Sequence, residues 1–146
     1  MEQNIQDFIS SKKVAIVGAS RQGKKFGNSA AKELQARGYR TFYIHPEAET
    51  IDDQPCYPNL DAVKDQAEVV WISVSADRGA DILRQAAGAG YDKVWLQQGA
   101  DSPELLELGK ELGLKLVTGK CILMYAEPVR SIHKFHQVVA KQIGQY

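Results

Sequence analysis

Short apolar runs alternate with longer amphipathic stretches along most of this 146-residue chain. The short runs are rich in β-branched residues, as strands are, and the longer stretches repeat their apolar residues at helical spacing. Strands are predicted at residues 13–17, 40–45, 68–75, 93–97 and 114–117. Strands that alternate with helical segments of this length are joined by right-handed crossovers, which make them parallel. The sequence therefore predicts a single α/β domain, a doubly wound five-stranded parallel sheet with flanking helices.

Four further segments lie outside this alternation. Residues 1–11 have apolar side chains at helical spacing, which predicts a short helix packed on the edge of the sheet. Residues 46–59 contain prolines and several carboxylates and are predicted to be irregular, followed by a short helical turn at 60–63. Residues 127–143 place apolar side chains along one side and predict a C-terminal amphipathic helix, through which a homodimer or another protein could bind.

The overall composition excludes several classes of protein. The chain is 44% hydrophobic and 25% charged, which is typical of a soluble globular domain. Its 18 basic and 18 acidic residues cancel, so there is no overall field to attract nucleic acid or an anionic membrane. The absence of a signal-like start and of an apolar run of about 20 residues predicts a cytoplasmic protein. Cys56 and Cys121 form neither a CxxC pair nor a zinc pattern, so no metal site is predicted.

A glycine-rich turn follows the first strand and has the features of a phosphate-binding site. Gly18 permits a tight turn of the backbone, and Ser20, after Ala19, supplies a hydroxyl donor. A helix follows from about residue 28, and its N-terminus directs unpaired N–H groups and a positive dipole end at the same place. Lys24 and Lys25 add positive charge. Micromolar affinity needs about 8 kcal/mol, so the rest of the ligand must be held elsewhere.

Small or polar residues occur at the end of every predicted strand. They are Gly18, Ala19 and Ser20 after the first strand, His45 and Pro46 after the second, Ser73, Val74 and Ser75 at the third, Gln98 and Gly99 after the fourth, and Cys121 after the fifth. The carboxyl ends of parallel strands meet at one edge, and ligands bind there at the point where the strand order reverses. This rim suits a nucleotide, although any solvated rim also carries polar residues.

The end of the second strand separates two kinds of cofactor. Sheets that bind NAD usually carry an Asp or Glu there for the ribose hydroxyls, whereas this chain has His45 and Pro46. An adenine nucleotide with an extra phosphate therefore suits the sequence better than NAD. An NAD(P)-dependent oxidoreductase with a displaced acid is the alternative. No nucleophile elbow, HExxH or Walker A pattern is found, so a non-catalytic binding or regulatory module is predicted and no catalytic residue is assigned.

Several motifs in a fixed order carry a resemblance to a known family. They are Val17-Gly18-Ala19-Ser20 with Lys24 or Lys25 and Gly27, Gly38-Tyr39, His45-Pro46, Tyr57-Pro58-Asn59-Leu60, Val94-Trp95-Leu96-Gln97-Gln98-Gly99, and Lys120-Cys121. With these motifs, about three quarters of the chain resembles the small stand-alone CoA-binding proteins. Those proteins are similar to the N-terminal CoA-binding domain of the succinyl-CoA synthetase α subunit.

The resemblance implies a Rossmann-like domain that binds coenzyme A or an acyl-CoA. It implies that the phosphates lie near Gly18, Ala19 and Ser20 and one of the lysines, Lys24 or Lys25. It also implies a place for the adenosine end, near His45, Pro46, Ser73, Val74 and Ser75. The pantetheine arm is then expected to extend toward Gln98, Gly99 and Cys121.

Overall fold

Seven strands form one sheet in the computed structural model, which describes residues 2–126. The strands are β1 (Lys13–Val17), β2 (Arg40–Ile44), β3 (Thr50–Ile51), β4 (Gln54–Tyr57), β5 (Val69–Ile72), β6 (Lys93–Gln97) and β7 (Lys115–Lys120). The α-helices are α1 (Glu2–Ser10), α2 (Phe26–Ala36), α3 (Ala76–Gly88) and α4 (Pro103–Glu111), with single 3₁₀ turns at Leu60–Val63 and Ile122–Met124. The helix predicted at residues 127–143 lies outside the described residues. None of the helices in 2–126 is long and apolar enough to cross a bilayer.

The strand order is β3-β4-β2-β1-β5-β6-β7, with β1 at the centre. From β1 the chain moves outward through β2 on one side, and later through β5, β6 and β7 on the other. The pairs β1–β2, β1–β5, β5–β6 and β6–β7 are all parallel. This confirms the doubly wound, Rossmann-like α/β fold and places the switch point between β1 and β5.

The predicted number of strands was wrong, because the segment 46–59 contains β3 and β4. These strands form an antiparallel hairpin, and β4 also pairs in parallel with β2. Asp52 and Asp53 make the turn with left-handed φ values of 50° and 62°. Strands of two and four residues are too short to show a period, and Pro55 within β4 argued against a strand. Pairing with β2, which is distant in sequence, is what makes this segment extended.

The sheet is covered on both faces, and successive residues of β1 alternate between them. Val14 and Ile16 pack with α1, α2 and the 3₁₀ turn at Ile122–Met124, whereas Ala15 and Val17 pack with α3 and α4. All four side chains are at most 5% exposed. Burial on both faces explains the nearly continuous apolar runs of the central strands. The carboxyl edge of the sheet is left as the place where polar groups gather.

Candidate functional site

A cleft of about 400 Å³ opens at the switch point between β1 and β5. The turn after β1 forms one side of the cleft and one face of α3 forms the other. The residues at the end of β2 line a third side of the cleft. The lining residues are Val17, Gly18, Ala19, Ser20, Arg21, Gln22, Lys25, Ile44, His45, Pro46, Pro58, Val74, Asp77, Arg78, Asp81, Ile82 and Gln85. The cleft therefore combines the glycine-rich turn with a helix that the sequence does not place beside it.

The turn at Gly18 requires glycine for two separate reasons. Its φ of +125° lies in the left-handed region, and a Cβ there would overlap the Ser73 carbonyl at the end of β5. A Cβ on Gly27, in the first turn of α2, would overlap the Gly18 carbonyl. Three backbone segments thus meet without side chains between them. This close approach fixes the distance between the β1 turn and the helix N-terminus.

The N-terminus of α2 has no side-chain cap. The helix begins at Phe26, and its N-cap residue, Lys25, makes no capping hydrogen bond. The first turn also lacks an acidic residue. The helix begins two residues before the predicted start. The Phe26 ring packs against the Trp71 ring, with their centroids 6.1 Å apart, and this contact anchors the first turn. The Asn28 N–H donates to the Lys25 carbonyl at 3.0 Å, so the N–H groups of Phe26 and Gly27 and the positive dipole end are what suits an anion beside Lys25.

Ser20 is held by the side chain of Asn28. The Ser20 N–H donates to Asn28 Oδ1 at 2.8 Å, and Asn28 Nδ2 donates back to the Ser20 carbonyl at 3.0 Å. The Ser20 hydroxyl oxygen accepts from the Gln22 N–H at 3.1 Å, which leaves the hydroxyl hydrogen to donate. Ser20 therefore has a hydroxyl hydrogen, but no backbone N–H, to offer a ligand. Asn28 was not among the site residues predicted from the sequence.

His45 presents a fixed tautomer at the end of β2. Its Nδ1 accepts from the Glu47 N–H at 3.0 Å and from the Ala48 N–H at 3.1 Å. Nδ1 therefore carries no proton, and the ring hydrogen is on Nε2. Partial burial first, and then the positive charge of Arg21, lowers the pKa of His45 below its ordinary value of 6.5. At neutral pH the ring is an uncharged donor in the cleft wall.

The remaining lining residues divide by chemistry. Arg21, Lys25 and Arg78 are cationic, and the apolar lining residues are Val17, Ile44, Pro46, Pro58, Val74 and Ile82. Two carboxylates, Asp77 and Asp81, also reach the cleft. A hydrogen bond from the Ser75 hydroxyl lowers the pKa of the Asp77 carboxyl, so Asp77 is ionised at neutral pH. The cleft can therefore hold an anionic group, an apolar ring and groups that donate hydrogen bonds.

The structure brings about half of the predicted site residues into this cleft. The members in the lining are Gly18, Ala19, Ser20, Lys25, His45, Pro46 and Val74. The other six, Lys24, Ser73, Ser75, Gln98, Gly99 and Cys121, are outside the lining. Ser73 supports Gly18 through its backbone, and Ser75 is the N-cap residue of α3. Lys24 is exposed on the turn next to Lys25.

Sequence reasoning missed the wall formed by α3. Arg78, Asp81, Ile82 and Gln85 line the cleft and recur three, four and seven residues apart, which is one face of a helix. This spacing could have grouped them. The spacing does not predict that this face of α3 lies beside the turn after β1, because the position of α3 depends on the order of strands in the sheet.

The predicted residues at the ends of β6 and β7 form a second region. The Gln98 N–H donates to the Lys120 carbonyl at 3.2 Å, and Cys121 is 6% exposed. Gly99 has a φ of +94° and open space around its Cα. Neighbouring strands are about 4.8 Å apart, so β6 and β7 lie about 10 and 14 Å from β1 along the sheet. This region is on the same edge as the cleft but is separate from it.

The side chain of Gln97 joins β5 to the segment after β7. Its Oε1 accepts from Trp71 Nε1 at 3.1 Å and from the Ile122 N–H at 3.1 Å. Gln97 itself is 2% exposed. This buried amide fixes the backbone immediately after Cys121. The sequence motif included Gln97, but Gln97 was not among the predicted site residues and its structural role was not predicted.

Comparison with known proteins places most of the chain in one domain family. The profile of the CoA binding domain family matches residues 12–127. The ADP-forming acetate–CoA ligases I and II of Archaeoglobus fulgidus are each 24% identical to this chain, over 141 and 125 residues. The alignments cover 90% and 77% of this chain but only 21% and 19% of the ligases. The chain therefore spans about a fifth of the length of these relatives.

Solved structures of small proteins share most of this fold. A hypothetical protein from Pyrococcus horikoshii has a TM-score of 0.75 and 28% identity, covering 84% of this chain and 87% of that one. A conserved hypothetical protein from Pyrococcus furiosus has a TM-score of 0.72 and 30% identity, covering 76% and 96%. The resemblance seen in the sequence motifs is thus confirmed. Since the matched residues make up most of its length, the chain belongs to the CoA-binding domain family.

Proposed function

We propose that this protein binds coenzyme A or an acyl-CoA, with the phosphates at the turn after β1. The observation that carries the proposal is the packing of Gly18 against an uncapped helix N-terminus in a cleft with three cationic side chains. Membership of the CoA-binding domain family supports the same ligand. Backbone N–H groups, the Ser20 hydroxyl and Lys25 are the proposed phosphate donors.

The size of the cleft suggests how the ligand divides along the edge. A volume of about 400 Å³ suits the adenosine and phosphate part of the molecule. Pro46, Pro58 and Ile82 are apolar surfaces on which an adenine ring can pack. The pantetheine arm would leave the cleft past Val74 and cross the end of β5 toward Gln98, Gly99 and Cys121. The distance of about 14 Å from β1 to β7 is within the reach of an extended arm.

We further propose that the module is non-catalytic. The only histidine that lines the cleft among residues 2–126 is His45, and its lone pair at Nδ1 is used by two backbone N–H groups. Nε2 already carries the proton, so the ring cannot act as a general base without breaking these hydrogen bonds. A regulatory role, with a partner bound through residues 127–143, is compatible with this arrangement and remains a prediction. Location in the cytoplasm likewise remains a prediction.

Calorimetric titration with CoA, dephospho-CoA, NAD and NADP tests the proposed ligand. We expect CoA to bind most tightly, and a loss of affinity without the 3′-phosphate would identify a dedicated CoA site. The alternative, an NAD(P)-dependent oxidoreductase, needs an acceptor for the ribose hydroxyls at the end of β2, where His45 offers a donor instead. The carboxylates that reach the cleft, Asp77 and Asp81, are on α3 and not at that position. A preference for NAD over CoA would overturn the proposal.

A further inference from the structure

The hairpin of β3 and β4 reaches the turn after β1 through one carboxylate. Asp52 Oδ2 accepts a hydrogen bond from Asn28 Nδ2 at 2.9 Å, and the same amide binds both backbone groups of Ser20. Asn28 is 1% exposed, so these contacts are shielded from water. A continuous path of hydrogen bonds thus runs from the hairpin to the turn.

Asp52 helps to determine which way the Asn28 amide is oriented. The Ser20 N–H needs an oxygen, while the Ser20 carbonyl and the Asp52 carboxylate both need the nitrogen. The amide satisfies all three groups in one orientation only. Removal of the carboxylate takes away one of the two acceptors that hold Nδ2 in place.

Asp52 is held firmly against the turn. Its φ of 50° is left-handed, and its side chain is 15% exposed. A Cβ on Gly23 would come within 2.9 Å of Asp52 Oδ1, which shows how closely the carboxylate approaches the turn. Lys32 Nζ lies 3.8 Å from the same oxygen. Asp52 does not line the cleft, so it contacts the turn from behind.

We propose that Asp52 is a positioning residue for the phosphate site, acting through Asn28 on Ser20. The inference rests on the proposed function, because the turn it fixes is the proposed phosphate site. A turn that is already ordered loses less conformational freedom when the ligand binds, and this increases affinity. The hairpin of β3 and β4, which was not predicted from the sequence, would therefore belong to the binding site.

Whether CoA affinity falls or rises in the Asp52 variants distinguishes a positioning role for Asp52 from a direct effect of its charge. A carboxylate close to an anion site repels the ligand, so loss of its charge alone would strengthen binding. Loss of its hydrogen bond to Asn28 would weaken binding instead. Asp52→Asn removes the charge but keeps an oxygen that can accept from Asn28, and Asn tolerates the left-handed backbone.

The test is the CoA affinity of three variants, measured by calorimetry. We expect Asp52→Ala to weaken CoA binding about 10-fold and Asp52→Asn to bind within about threefold of the wild type or more tightly. Asp53→Ala is the matched control. It loses the same charge in the same turn, also from a left-handed residue, but Asp53 makes no side-chain hydrogen bond to the turn after β1 among residues 2–126. We expect it to bind within about twofold of the wild type.

Amide hydrogen exchange gives a second readout that does not depend on the ligand. We expect the Ser20 N–H to exchange faster in Asp52→Ala and to be unchanged in Asp53→Ala. If Asp52→Ala fails to fold, Asp52→Gly replaces it, because glycine adopts the left-handed conformation without strain and still lacks the carboxylate. Asp52→Gly is expected to show the same 10-fold loss of affinity.

Two different failures can be told apart. CoA binding by the wild type with equal affinity in the Asp52 and Asp53 alanine variants would overturn the role of Asp52 and leave the proposed function standing. Tighter binding by both Asp52→Ala and Asp52→Asn would also overturn it, since charge alone would then account for the effect. A wild-type protein that binds no CoA would overturn the proposed function and the inference with it.

Discussion

Gly18 and Gly99 follow parallel strands at the same edge of the sheet, yet their surroundings differ. Both have left-handed φ values, +125° and +94°. A Cβ on Gly18 would overlap the backbone of Ser73, whereas a Cβ on Gly99 would meet no atom within 4 Å. At Gly18 glycine is needed both for close packing and for backbone conformation, whereas at Gly99 it is needed only for backbone conformation.

The region around Gly18 is closely packed, whereas the region around Gly99 is open. The turn after β1 is fixed by Asn28 and Asp52 from behind and lined by cations in front. The end of β6 is open at Gly99 and bordered by the buried Cys121. A rigid site suits the phosphates, which are the same in every CoA derivative. An open region suits the end of the arm, where acyl groups vary.

The largest expected effect is the loss of stability in Gly18→Ala. The added Cβ would force the turn away from Ser73 and place alanine at a left-handed φ, so we expect a loss of about 3 kcal/mol or more in the free energy of unfolding. Gly99→Ala is the matched variant and should lose only about 1 kcal/mol, because its Cβ meets open space. Urea unfolding measures both, and equal losses would contradict the difference in packing between the two glycines.

Lys25 and Lys24 form the next pair. Lys25 lines the cleft and is the N-cap residue of α2, whereas Lys24 lies outside the lining. We expect Lys25→Ala to bind CoA about 10-fold more weakly, because it loses the proposed charged hydrogen bond from Lys25 to a phosphate. Lys24→Ala should stay within about twofold, because the Lys24 side chain lies outside the cleft lining and its charge is screened by solvent. Calorimetry of both variants decides the matter, and a larger effect from Lys24 would show that the ligand lies along the outer side of the turn.

Gln98→Ala tests the second region. If the pantetheine arm reaches the end of β6, we expect a loss of CoA affinity of about threefold to 10-fold. Affinity for adenosine 3′,5′-bisphosphate, which lacks the arm, should not change. Lys25→Ala, by contrast, should weaken both ligands. Equal effects of Gln98→Ala on the two ligands would show that the arm does not follow this edge.

Two substitutions of His45 separate its two nitrogens. Asparagine keeps an acceptor near Nδ1 for the Glu47 and Ala48 N–H groups but loses the donor at Nε2. We expect His45→Asn to keep its melting temperature and to bind CoA about threefold to 10-fold more weakly. Glutamine places a donor near Nε2 but leaves the turn uncapped, so His45→Gln should bind nearly normally and lose about 1 kcal/mol of stability. Normal CoA binding by both variants would assign His45 a purely structural role.

The smallest expected effect is a pH dependence of stability from His45. Burial and then Arg21 hold its pKa below 6.5, so the unfolded chain binds the proton more readily than the folded one. The contribution of the neutral ring is therefore complete above pH 6.5 and decreases as the pH falls below it. Urea unfolding at pH 7.5 and 5.5 should show a smaller pH effect in His45→Asn than in the wild type. An identical pH effect would contradict the assignment.

The elements found correctly from the sequence are those with a strong local pattern. β1 and β6 have the predicted bounds, Lys13–Val17 and Lys93–Gln97, because each is an apolar run that ends in small or polar residues. β3 and β4 were missed because short strands at a sheet edge have no such pattern. In the site, Gly18 was found from its position after a strand, whereas Asn28 and Asp52 look like any polar residues on a helix and in a loop.

The sequence by itself determined the parallel α/β architecture and the position of the glycine-rich turn after β1. Both depend on interactions between near neighbours in the chain, namely the period of the apolar residues and the freedom of the backbone at glycine. Tertiary structure alone decided that Arg78 and Asp81 of α3 line the cleft, that Asp52 supports the turn, and that Cys121 lies three strands away from it. These relations depend on strand order and on how each helix is rotated against the sheet, which the burial of distant side chains determines.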